Sequence, residues 1–143
     1  MRIAALLSSK GTAVATIRPE ATVAEAVGEL ARHGIGALVV SADGVRIDGI
    51  VSERDVVRGL EGGGALLERP VSSIMSSTVY TCSPEDDTDS LVEAMTDRRI
   101  RHVPVVDAEG HLGGIVSIGD VVKTRLGELE RHRKELVDYI NAR

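Results

Sequence analysis

Apolar residues along the chain fall into two spacings that alternate. Val23, Ala26, Val27, Leu30 and Ala31 recur at i, i+3, i+4, i+7 and i+8, the stripe of an amphipathic helix. Thr22-Val23-Ala24-Glu25 has the form of a capping box at its start, and His33-Gly34 supplies the stop, which predicts a helix over 22–33. Ala37–Val40 is a short apolar run of the kind a buried strand needs. Asp43-Gly44 marks a turn, and Val45–Val51 predicts a second strand, antiparallel to the first because the connection is short. From Ser52 the pattern returns to helical spacing, with Val56, Val57 and Leu60 on one side.

The same order then recurs. A strand is predicted near 79–81, a helix near 87–98 carrying Leu91, Val92 and Met95, strands near 102–106 and 111–116, and a helix from Ser117. The recurrence extends to identity: at an offset of 65, Thr16–Val57 overlays Thr81–Val122 without a gap and with 13 identities in 42 positions. The identities cluster in Gly49-Ile50-Val51-Ser52 on Gly114-Ile115-Val116-Ser117 and Asp55-Val56-Val57 on Asp120-Val121-Val122. Two copies are too few for a solenoid, so the expected arrangement is two similar lobes about an approximate two-fold axis, each covering a face the other cannot bury. Between them, Glu61–Arg69 contains Gly62-Gly63-Gly64, a flexible link, and Pro70–Met75 predicts a short helical turn. The last helix carries a longer stripe, Val122, Leu126, Leu129, Leu136 and Ile140 with Arg133 in the seam, and so is expected to pack on a neighbouring helix or subunit.

With 143 residues, 43% of them apolar, the chain is long enough for one real core without disulfides or structural metal. A single cysteine, Cys82, fits a reducing cytosol, and the absence of a long apolar run argues against a membrane span or an export signal. A net charge of −5 and only two aromatic residues, Tyr80 and Tyr139, argue against nucleic acid, which calls for a basic groove and stacking platforms. A planar ligand would have to lie between aliphatic side chains and be oriented by backbone groups.

The repeated Gly-Ile-Val-Ser-x-x-Asp sits where a buried strand runs into a helix. A helix start presents free N–H groups and the positive end of the helix dipole, which suit a phosphate, and Ser52 and Ser117 add hydroxyl groups there. Asp55 and Asp120, three residues on, can accept two hydrogen bonds from a ribose diol. The competing reading is structural: Ser-x-x-Asp is also nearly a capping box, and duplication would repeat a cap as faithfully as a site.

The residues Gly49–Asp55, Gly114–Asp120 and Arg101-His102-Val103-Pro104-Val105-Val106-Asp107 resemble the two signature regions of the CBS-domain pair, or Bateman module. The resemblance covers about residues 8–123. It implies an α/β (α+β) fold of tandem β-α-β-β-α repeats about a pseudo-two-fold axis, divided as 8–69, 70–123 and a helical extension over 124–143. It also implies an adenine nucleotide, AMP, ADP, ATP or NAD(H), bound between the lobes, and paired modules forming a homodimer. By this resemblance Asp55 and Asp120 hold ribose hydroxyls, Ser52 and Ser117 contact phosphate, and Thr16, Ile17, Thr81 and Cys82 line the base clefts. The copies differ: Pro104 faces Val39 in the alignment, giving the second copy Arg101, His102, Val103 and Pro104 where the first has Gly36, Ala37, Leu38 and Val39. The cleft at Asp120 is therefore expected to take the base and ribose. Arg54, replaced by Gly119 beside Ile118 in the second copy, is placed to reach a phosphate in either cleft.

No Gly-x-Ser-x-Gly, His-Glu-x-x-His or Walker loop occurs, and Cys82 with His102 is short of a zinc ligand set, so neither an enzyme nor a metal site is expected. Arg98, Arg99, Arg101 and His102 form a basic cluster that can attract phosphate or simply face solvent, while Glu85, Asp86, Asp87 and Asp89 suit the start of the following helix. Two functional classes follow: a nucleotide sensor acting on a partner in trans, and an assembly module whose clefts are vestigial.

Overall fold

The structure, a computed structural model, describes residues 1–142. The first repeat contains a short strand β1 (Thr16–Ile17), a helix α2 (Val23–His33), strands β2 (Ala37–Val40) and β3 (Gly49–Ser52) and a helix α3 (Glu53–Leu60), all preceded by a helix α1 (Ile3–Lys10). Two 3-10 turns, Gly64–Glu68 and Val71–Ser73, lead to helix α4 (Thr88–Arg98), strands β4 (His102–Val106) and β5 (Leu112–Ser117) and the long helix α5 (Ile118–Asn141). The predicted capping box at Thr22–Glu25 is made, and Gly34 closes α2 in the left-handed region at φ 61°. Its counterpart Arg99 closes α4 in the same conformation, at φ 56°, without glycine's freedom. No described helix is long and apolar enough to cross a membrane.

In the first lobe β1 runs parallel to β2, and β2 antiparallel to β3. In the second, β4 and β5 are antiparallel. The strand predicted at 79–81 is reduced to one residue, Cys82, bridged in parallel to Val105 by bonds from Cys82 N to Pro104 O (3.0 Å) and Val106 N to Cys82 O (2.9 Å). The strand predicted over 45–51 is regular only from Gly49, because Val45 and Arg46 pair outside their own hairpin: Leu112 N donates to Val45 O (2.8 Å) and Arg46 bridges His111. Arg46 and His111 are equivalent positions of the two repeats, so this bridge lies on the pseudo-two-fold axis and joins the lobes there.

Each lobe is completed by the segment leading into a repeat. Ile3, Leu6 and Leu7 of α1 lie in the second lobe's core with Leu91, Met95, Val103, Val105, Val116 and Val121. Val71, Ile74 and Met75, at the start of the 70–123 repeat in sequence, pack on the first lobe's core of Ile17, Ala26, Leu30, Leu38, Val40 and Val51. Ser76 also extends the first sheet, exchanging 2.9 Å bonds in both directions with Ile50. Two glycines lie where these segments cross the sheets, Gly49 at the start of β3 and Gly114 within β5. A Cβ on Gly49 would lie 2.6 Å from Met75 Sδ, and one on Gly114 2.9 Å from Leu7 Cδ2.

Candidate functional site

Both Ser-x-x-Asp corners form, and both are capping boxes. At the first, Asp55 Oδ2 accepts from Ser52 N (2.8 Å) and Ser52 Oγ (3.0 Å). At the second, Asp120 Oδ2 accepts from Ser117 N (2.8 Å) while Asp120 N donates to Ser117 Oγ (3.1 Å). The first amide of each helix also has a partner: Glu53 N donates to Gly36 O (3.0 Å) and Ile118 N to Arg101 O (2.9 Å). These bonds tie each helix start to the residue just before the hairpin's first strand, β2 or β4, and set the corner beside it. Both carboxylates are half-buried and turn Oδ2 inward to the main chain.

The corners differ in what approaches from outside the repeat. Lys10, the last residue of α1, places Nζ 2.5 Å from Asp120 Oδ2 and 2.5 Å from Ile115 O. Burial alone would raise the Asp120 pKa. The hydrogen bond and charge of Lys10, with the Ser117 amide, more than offset it and hold the carboxyl below its ordinary range. At the offset of 65 the position of Lys10 is taken by Met75, an apolar residue, so no equivalent cation reaches Asp55 from that position. Lys10 was not among the residues the sequence singled out. Its partner lies 110 positions away, and its only local signal is the Ile3, Leu6, Leu7 stripe that makes α1 and so delivers it.

The lobes meet beside the second corner. A Cβ on Gly36 would lie 2.7 Å from Glu53 Oε1 and 3.1 Å from His102 Cε1, so the start of β2, the first turn of α3 and the start of β4 converge. Burial first, then the charges of Arg101 and Lys10, lower the His102 pKa against the opposing pull of Asp120 and Glu53, and the ring is neutral at pH 7. Arg54 reaches across the axis, its Nη1 3.5 Å from Arg99 O. Gly36, Arg101, His102, Ser117, Ile118 and Asp120 are thus gathered around one junction, with Lys10 and Glu53 added, while Arg54 rests on the Arg99 carbonyl.

Other predicted residues have core or sheet roles. Leu38 and Val103 are fully buried in the two cores, Ala37 is nearly so, and Pro104 accepts the Cys82 amide. Cys82 is buried, and its thiol is pushed up to about 12, first by burial and then by Asp86, which keeps it protonated. Arg98 lies over the Tyr80 ring at 4.3 Å. Asp87 caps α4 by accepting from Asp89 N (3.0 Å). Two open grooves occupy equivalent places in the lobes, one lined by Thr16, Ile17, Glu20, Glu25 and Glu29, the other by Thr81, Cys82, Glu85, Asp86 and Asp107. They include the predicted threonines but neither corner, and their carboxylates outnumber the one cation among their lining residues, Arg18 in the first, so both disfavour phosphate.

The doubling is also what comparison with known proteins finds: the family model described as CBS domain matches residues 11–62 and 71–127. The chain belongs to the CBS-domain family. This CBS pair superposes on a CBS-domain containing protein from Agrobacterium tumefaciens with a TM-score of 0.83 and 47% identity, covering 87% of this chain and 99% of that one. A CBS domain protein from Pyrobaculum aerophilum complexed with AMP gives a TM-score of 0.74 and 31% identity, covering 84% of this chain and 89% of that one. The mitochondrial CBS domain-containing protein CBSX3 of Arabidopsis thaliana is 39% identical over 120 residues, which are 80% of this chain but 56% of that protein.

Proposed function

We propose that this CBS pair is a regulatory module that binds an adenine nucleotide at the junction of its lobes and acts in trans, as a homodimer, on a partner protein. The observation that carries the reading is the convergence of the second Ser-x-x-Asp corner with Lys10 and His102, on a fold that holds AMP in a relative 31% identical. In this reading Asp120 takes the ribose hydroxyls on Oδ1, since Oδ2 is engaged by Ser117 and Lys10. Ser117, Lys10 and Arg54 supply donors and positive charge for phosphate. The base lies toward Thr81 and Cys82 between aliphatic walls, because the carboxylates there exclude phosphate and accept an exocyclic amine. Asp55, with Ser52, Thr16 and Ile17, forms the second and weaker cleft, without a lysine from α1.

Thermal unfolding with AMP, ATP and NADH tests this. A ligand at about 100 times its dissociation constant adds about 2.7 kcal/mol and raises the Tm. Asp120→Ala is expected to fold and to lose most of that rise. A parent-sized rise in Asp120→Ala contradicts the role given to Asp120.

The second reading, an assembly module with vestigial clefts, is favoured by the closure of both carboxylates onto their own helix starts and by the lysine on Asp120. It predicts no shift with any of the three nucleotides.

A further inference from the structure

Lys10 ends α1, whose Ile3, Leu6 and Leu7 are buried in the second lobe, and Gly11 breaks the helix directly after it at φ 105°. The ammonium is therefore delivered to the second corner by a fixed element rather than by a loose arm. It carries three N–H donors. One goes to Asp120 Oδ2 and one to Ile115 O, both at 2.5 Å, and the third meets no acceptor among the described residues. The side chain is 27% exposed, so that donor is open to a ligand. Asp120 is the opposite case. Ser117 N and Lys10 occupy its Oδ2, and a ribose diol on Oδ1 takes up the rest of the carboxylate. Once the sugar is seated, Lys10 keeps a free cationic donor there and Asp120 has no oxygen to spare.

We propose that Lys10 sets which 5′ group the second corner accepts: an adenosine with an anionic phosphate on its 5′ carbon is taken, and one that is neutral or cationic there is turned away. The 5′ carbon leaves the ribose ring beside the 3′ carbon, so a group on it stays close to a cation that shares the carboxylate holding the diol. A phosphate oxygen accepts from the open N–H and completes the three bonds of the ammonium, in a hydrogen bond strengthened by both charges. A 5′ hydroxyl accepts without charge. A sulfonium has no lone pair suited to the donor and sets a second positive charge against the first. Arg101 adds to that repulsion, since it and Lys10 act on His102 in the same direction. The inference rests on the adenosine site proposed above and assigns its choice among 5′ groups.

Titration calorimetry of AMP, adenosine and S-adenosylmethionine, which share base and ribose, tests this. In the parent AMP is expected to bind about tenfold or more tighter than adenosine, and S-adenosylmethionine no better than adenosine. Lys10→Met and Lys10→Gln, each checked for folding by thermal unfolding, are expected to bring AMP to within about threefold of adenosine while leaving adenosine itself nearly unchanged. A merely structural role for Lys10 would weaken both ligands together and keep their ratio as in the parent, which overturns the proposal. The parent decides on its own as well: AMP no tighter than adenosine, or S-adenosylmethionine as tight as AMP, overturns the choice while the adenosine site stands. If none of the three binds, the site falls and the choice with it.

Discussion

At the scale of single residues, the decisive contact is Lys10 on Asp120. A carboxylate whose pKa is depressed in the folded state stabilises the fold above its unfolded value, about 3.9, and loses that contribution as the pH falls through the folded value. With Lys10 replaced by Met the depression relaxes. Lys10→Met is therefore expected to lower stability at about pH 7 by about 1 kcal/mol, and its gap from the parent to narrow toward about pH 3, as measured by urea unfolding. A gap that stays constant across this range would mean that Lys10 contributes by packing its stem rather than by its charge. The corner residues themselves were legible in the sequence because their bonds are local, Ser52 to Asp55 and Ser117 to Asp120. What was not legible is which way each carboxylate is used. The same four-residue pattern serves a cap and a sugar cradle, and only the approach of groups from α1 and α3 separates the two uses.

The elements show a similar division. Helices α2, α4 and α5 announce themselves through apolar spacing and capping residues, and their observed bounds fall within a residue or two of those expected. The exchange of leading segments between lobes has no local signature: α1 serves the second lobe and the turn at 71–75 the first. The same holds for Val45 and Arg46, which pattern suggests belong to a hairpin strand but which pair across the axis with Leu112 and His111. The two glycines at the crossing points carry a prediction. A methyl group at Gly49 would meet Ser76 O at 2.8 Å as well as Met75 Sδ, and a backbone carbonyl cannot turn aside. At Gly114 it would meet only the Leu7 side chain, whose tip can rotate. Gly49→Ala is expected to cost about 1–3 kcal/mol and Gly114→Ala clearly less, read from paired thermal unfolding curves. The reverse order would mean that the segment at 75–76 is looser than the α1 contact.

At the scale of the whole molecule, the pseudo-two-fold axis makes two corners from one repeated motif, and the leading segments make them unequal. One faces an apolar methionine segment and the other a lysine. A ligand seated at the second corner would touch α1, α5 and, beside Glu53, the first turn of α3, and so would couple the two lobes. At that corner the Asp120 carboxylate is proposed to hold a ribose diol. Titration calorimetry of AMP against its 2′,3′-dideoxy analogue tests that most directly. Measurable AMP binding and a loss of about tenfold or more with the analogue are expected, since the half-buried Oδ1 of Asp120 left without its two donors costs on the order of 1.4 kcal/mol or more. Equal affinity for the two, or no binding of AMP at all, would contradict it.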